Sequence, residues 1–437
     1  MDNLPSKLVH ANAAPETAAP VTGPKVIPND PTPADQAIYV LSLSPTFATN
    51  IYKGKWGRTL SSEMTDQDLN FLNPANTTFY APHVMSSAGQ ALRIKNKGIV
   101  TERDVEKTCL ICDSGGHQVA KQTGGINDMR DREAILAWIE ERADLSMTLD
   151  IPTGPVGDPE DPYQFPTQKA CLERTLDHLK FFQRYHTPGA VTWLNVIQGN
   201  TAGVGYDWYN AVKHFDFAEG WAIAGPKRKD LAYILTLLLR MLGDGKLQKK
   251  KWIHVLGTQE LWMVVALTAV QRALNANGCN LRISFDTSSS CSMTGRNQVY
   301  TLPQFTKYQL TLGAESAPDT NALFGSNLRW PWPSAIGNKL TLGDINVPSK
   351  GGSLYCRDDL SNTLMMLHNY AATREAIALV NRVMDAQKAS GEYLIAPRLS
   401  DAIAVIDQVI AAGPKDGLKL INHHRGLLNS LDGNNLG

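Results

Sequence analysis

From Cys109 to Asp286 the chain repeats one pattern: a short apolar run ending in polar or glycine residues, then a longer stretch with helical spacing. The runs cover residues 109–112, 145–149, 191–197, 220–224, 252–256 and 281–285. Helical periodicity marks the segments 131–142, 169–185, 206–215, 230–242 and 260–275. Strand and helix therefore alternate about every 30 residues, as parallel βα units do. Six units in succession, with another buried strand at 37–41 ahead of them, are more than most open sheets use. The pattern predicts a closed (β/α)8 barrel of the TIM type.

The flanks read differently. Residues 1–35 contain seven of the 24 prolines with much Ala, Thr and Asn, too little apolar area to offset chain entropy. They are expected to form a flexible, disordered N-terminal arm, with the catalytic barrel over 36–345. Residues 346–437 are expected to be C-terminal helices that close the barrel. One spans 359–388, with Ala376, Leu379, Val380, Val383 and Met384 on one face, and a second spans 400–412.

Composition narrows the class. With 437 residues, 43% of them apolar, the chain can bury one barrel-sized core or two ordinary ones. Lys+Arg and Asp+Glu balance at 42 each, so any nucleic-acid binding must come from local basic patches. Six dispersed cysteines fit free thiols in a reducing compartment, and the cytoplasm is the expected location. The longest apolar segment, 231–242, is interrupted by Thr236 and Arg240 and is too short to span a bilayer.

In a (β/α)8 barrel the chemistry sits at the C-terminal ends of the strands. There the sequence places Asp113, Asp150, Gln198-Gly199, Gly225, Gly257 and Asp286, so three carboxylates and an amide are expected on one rim. Asp113 is followed by Ser114-Gly115-Gly116-His117-Gln118, and glycines at such a position let a ligand approach the backbone. Each acid also has a plainer reading. Asp150 can cap the next helix, and Asp286, ahead of Thr287-Ser288-Ser289, can form a turn. For Asp113 the Gly-Gly that follows is a poor helix start, which weakens the capping alternative.

Taken in order, these motifs resemble the tRNA-guanine transglycosylases, enzymes that replace a guanine in a nucleic acid by a deazaguanine. The resemblance rests on Asp113-Ser114-Gly115-Gly116-x-Gln118, Leu149-Asp150-Ile151-Pro152 and Val196-Ile197-Gln198-Gly199. It continues through Ala222-Ile223-Ala224-Gly225, Val255-Leu256-Gly257 and Phe285-Asp286 with Thr294-Gly295-Arg296-Asn297, and covers roughly residues 80 to 300. It implies that Asp286 attacks the sugar to give a covalent glycosyl intermediate and that Asp113 moves the proton of the departing and incoming bases. It implies that Asp150, Gln198, Gly199, Ala224 and Gly225 read the base, with Ser114, Gly116 and Gly257 around it. His117 and Leu256 stand where the family carries an aromatic ring and a methionine that sandwich the base.

The chain departs from that family downstream. tRNA-acting members hold a structural zinc through Cys-x-Cys-x-x-Cys and a later His-Asn; here Leu367-His368-Asn369 resembles the second part, but Cys356 is the one cysteine after Cys291. A structural zinc is therefore not expected, and the chemistry needs no cofactor. Cys109 and Cys112, three apart on a strand, point to opposite faces and do not replace the missing ligands. Divergent relatives encoded by phages and bacterial DNA-modification islands act on DNA, and this chain is more similar to them. DNA is the expected polymer, with tRNA the alternative and a preQ0-like 7-deazaguanine the expected small-molecule partner.

Lys227, Arg228, Lys229 and Arg296 are candidate phosphate contacts on the rim, whereas Lys246, Lys249, Lys250 and Lys251 precede a strand and belong to the opposite face. Two other readings stay open: a hydrolytic glycosidase using the same acids, and a catalytically inactive nucleic-acid-binding barrel subunit. The sequence leaves the oligomeric state undetermined.

Overall fold

In the computed structural model the described residues are 25–60, 63–94, 96–121, 127–158, 164–305, 310–348 and 355–431. Eight parallel strands close into a barrel in sequence order: β1 (Ile38–Ser42), β2 (His83–Ser87), β3 (Cys109–Asp113), β4 (Leu145–Met147), β5 (Thr192–Ile197), β6 (Gly220–Ile223), β7 (Trp252–Val255) and β8 (Arg282–Thr287). Closure comes from β1 pairing with both β2 and β8, Leu41 opposite Val84 and Val40 opposite Asp286. The (β/α)8 expectation holds, and all predicted runs are strands.

Strand alternation builds two apolar layers. Ile38, Val40, Cys109, Ile111, Leu194, Val196 and Trp252 fill the barrel interior. Tyr39, Leu41, Leu110, Cys112, Trp193 and Phe285 face the helices. Cys109 and Cys112 thus fall in different layers, both fully buried, and burial pushes both thiols far above their ordinary range. A packed interior leaves the C-terminal mouth as the place where a ligand can be held.

β2 escapes the hydrophobic pattern. His83-Val84-Met85-Ser86-Ser87 has only two apolar residues, yet Val84 and Met85 are buried on opposite faces. His83 lies buried at the barrel floor, 3.6 Å from Asp30, and burial brings it down to about 4. The helix expected over 206–215 begins earlier, as Ala202–Val212, capped by the Thr201 hydroxyl accepting from Val204 N–H at 3.3 Å. Gly203 and Gly205 weaken the helical signal there; Gly205 is needed because a Cβ would lie 2.1 Å from the Tyr233 hydroxyl.

Part of the segment expected as an arm is anchored to the barrel. Residues 1–24 lie outside the described residues, but 25–35 are fixed to the barrel floor. Lys25 donates to Thr108 O at 2.9 Å and Val105 O at 2.7 Å and pairs with Asp144, while Ile27 is buried in the interior cluster. A few specific anchors hold a segment whose average composition reads as unstructured.

After β8 come the short helix Ser289–Gly295 and a hairpin of β9 (Gln298–Phe305) and β10 (Leu310–Ser316). The long helix Asp359–Ser390 then packs on Ser289–Gly295, β9, the helix Leu261–Ala276 and β1, so it takes the place of the eighth outer helix. The last helices cover the barrel from outside, Pro397–Ala411 against Leu261–Ala276 and Gly413–His423 against Leu231–Gly243. No described helix is long and apolar enough to cross a membrane.

Candidate active site

The C-terminal mouth holds a cavity of about 390 Å³ bounded by Asp113, Asp150, Gln198 and Asp286. Gly116, His117, Ala224 and Leu256 also line it, so eight of the residues singled out from the sequence meet in one space. Asp113 is the last residue of β3, Gln198 follows β5 and Ala224 follows β6. Asp286 lies inside β8, one residue before its end, and Asp150 lies three residues beyond β4.

The glycines set how closely these ends approach. Gly115 takes φ +91°, and a Cβ there would sit 2.7 Å from the Cα of Gly89. At Gly116 a Cβ would sit 2.1 Å from the Asp150 carbonyl oxygen, so the absent side chain lets the turn after β3 close on the loop after β4. Gly199 and Gly225 touch each other on the rim without lining the cavity. Ser114 is buried beneath it, its hydroxyl donating to Thr148 O at 3.2 Å.

The acids differ in environment. Burial raises Asp113 above the usual carboxylate range, and the Asp286 charge adds to this; bonds from Gly115 N–H and Ser87, with the nearby His117, oppose it. Burial raises Asp150 to about 7, against the Gln198 amide that donates to its Oδ2 at 2.7 Å. Gln198 Oε1 has no partner among the described residues, so this pair presents acceptors to a ligand. Asp286 is fixed through Oδ1, which accepts Gly257 N–H at 2.8 Å and contacts His254 Nε2 at 3.2 Å.

Sequence reasoning missed two groups. Ser87 and Gln90 come from β2 and the turn after it, which carry little strand signal, and both line the cavity. His254 and Ser284 sit inside β7 and β8 and are fully buried; one polar residue within an apolar run was the available sign.

The basic residues are bonded within the chain. Lys227 pairs with Asp230 at 3.0 Å and Lys229 with Glu260. Arg228 donates to Gly225 O at 2.8 Å and Gly257 O at 3.3 Å, tying two rim loops together. Arg296 is exposed, its Nε donating to Ser292 O at 3.2 Å. Lys246 and Lys251, outside the mouth, pair with Asp216 at 2.7 Å and Glu219 at 2.6 Å.

His368 and Asn369 do not fit a zinc site. His368 Nε2 must donate to Tyr300 O at 3.0 Å, which leaves Nδ1 to accept from the Ser334 hydroxyl at 2.8 Å, so no ring lone pair is free. Burial brings His368 down to about 4. Asn369 accepts from Tyr300 N–H at 2.8 Å and donates to Gln298 O at 3.2 Å, holding β9 to the long helix. Cys356 contacts Asn321 Oδ1 at 3.2 Å, and among the described residues no cluster of three or more metal-ligating side chains occurs.

No protein-family model matches the chain, and no curated protein matches it.

Proposed function

We propose that this chain is a pentosyltransferase that exchanges guanine in DNA for a 7-deazaguanine base. The observation that carries the reading is the convergence of Asp113, Asp150, Gln198 and Asp286 on one cavity of about 390 Å³ at the barrel mouth. Asp286 attacks C1′ of the deoxyribose, the C1′–N9 bond breaks, and the sugar is left esterified to the carboxylate. Asp113, whose raised proton affinity keeps the acid form available, protonates the departing base. The incoming base gives its own N9 proton to the Asp113 carboxylate and attacks C1′, breaking the ester bond to Asp286, so configuration at C1′ is retained.

The acceptors of Asp150 and Gln198 suit the donor edge of a guanine-like base, N1–H and the exocyclic amine. His117 and Leu256 both line the cavity, and in this reading they are the side chains that flank the base. DNA is favoured over tRNA because the segment that would carry a zinc module is here a hairpin stapled by His368 and Asn369. A base in a duplex must first be flipped out, which costs a few kcal/mol.

Incubation with labelled guanine and either guanine-containing DNA or tRNA tests the reading. Label entering DNA supports it, and label entering tRNA alone replaces the substrate. Free guanine released with no label taken up would make the enzyme a hydrolase instead.

A further inference from the structure

A line of buried side chains runs from the barrel interior to the reactive carboxylate. Trp252 Nε1 lies 2.6 Å from Ser284 Oγ, Ser284 Oγ lies 2.7 Å from His254 Nδ1, and His254 Nε2 lies 3.2 Å from Asp286 Oδ1. Trp252, Ser284 and His254 are all buried, at 1%, 0% and 0% exposure, and none of them lines the cavity.

Counting protons fixes the direction of the line. An indole N–H only donates, so Ser284 Oγ accepts from Trp252. An ionised carboxylate only accepts, so His254 carries its proton on Nε2 and gives it to Asp286. His254 Nδ1 is then an acceptor, and it takes the one proton the Ser284 hydroxyl has to give. The opposite tautomer would set a lone pair against the carboxylate and leave the Ser284 hydroxyl proton with no acceptor among the contacts present.

Serine, histidine and aspartate bonded in this order resemble an acyl-transfer triad, but the ends are reversed. Ser284 is sealed inside the barrel, whereas Asp286 borders the cavity. The line cannot relay a proton outward, because the Trp252 indole N–H at its far end only donates and cannot accept one. Its effect falls on Asp286. Oδ1 is held by two donors, His254 Nε2–H and Gly257 N–H, and Oδ2 has no donor among the described residues.

We propose that Trp252, Ser284 and His254 are positioning residues that hold Oδ1 of Asp286 and leave Oδ2 as the atom that attacks the sugar. The inference rests on the base-exchange reading for its consequence, but its geometry can be tested without it.

The direct test is nitrogen NMR of the full chain labelled with ¹⁵N-histidine, His254 being assigned by its loss in His254→Gln. His254 is expected to show a protonated Nε2 and an unprotonated Nδ1, and Asp286→Ala is expected to shift the Nε2–H resonance. A proton on Nδ1, or no response to Asp286→Ala, overturns the proposal. In the exchange assay His254→Gln keeps an N–H donor and should retain activity within about tenfold. His254→Phe removes the donor and should lower kcat about a hundredfold, the scale of one preorganised donor, with KM for the oligonucleotide little changed. Wild-type kcat in His254→Phe contradicts the proposal. A wild-type protein with no exchange activity refutes the function, and the NMR result then decides the positioning alone.

Discussion

Gly116 stands against Asp150: a methyl group on Gly116 would lie 2.1 Å from the Asp150 carbonyl oxygen. The turn after β3 and the loop after β4 are thus in contact through a missing side chain, and this contact brings Asp113 and Asp150 to one cavity. Gly116→Ala should force the two apart, at a cost of about 1–3 kcal/mol for overpacking. Denaturant unfolding should show that loss, with base exchange falling further than stability.

Asp150 supplies a pH signature. Its folded value of about 7 lies above that of an unfolded aspartate, so the native state binds the extra proton. Its stabilising contribution is complete below the unfolded value and is lost as pH rises through about 7. Asp150→Asn, which cannot ionise, should gain stability relative to the wild type on going from about pH 5 to about pH 8, by an amount on the order of a few kcal/mol. Urea midpoints at the two pH values measure it; a gap between the proteins that does not change with pH contradicts the assignment.

In the proposed exchange Asp113 is the acid in base departure, and its proton affinity is raised by burial and by the Asp286 charge. Guanine release in a single turnover should therefore fall as pH rises through this elevated range. Asp113→Asn should slow release by about 10²–10⁴-fold and flatten that limb. Rapid-quench measurement of released guanine across pH separates the two proteins.

Asn369 ties the segment beyond Asp286 to the long helix through Tyr300, Gln298 and Thr294. Replacing it with Ala leaves the buried Tyr300 N–H without its acceptor, at about 1–3 kcal/mol. Hydrogen exchange should speed at β9 and in the helix Ser289–Gly295, while the N-terminal half of the barrel keeps its protection.

Much of this was legible in the sequence, for identifiable reasons. The seven apolar runs stand out because a parallel strand is buried on both faces. Asp113, Asp150, Gln198 and Asp286 stand out because each is a polar residue that ends such a run. β2 was hidden because three of its five residues, His83, Ser86 and Ser87, are polar, although His83 and Ser86 are buried. Residues 25–35 were hidden because Lys25 and Ile27 act as single anchors. His254 and Ser284 showed only as a polar residue inside each apolar run, since their roles depend on neighbours about 30 residues away in sequence and adjacent across the barrel.

The central claim is that Asp286 bonds to the sugar. An oligonucleotide containing guanine, mixed with the protein and denatured without added base, should give a covalent protein–DNA adduct on a denaturing gel, mapped to Asp286 by peptide mass spectrometry. Added guanine or a 7-deazaguanine should discharge it, and Asp286→Asn should not form it. Guanine release with no adduct under any quench, or an adduct that persists in Asp286→Asn, would contradict the account.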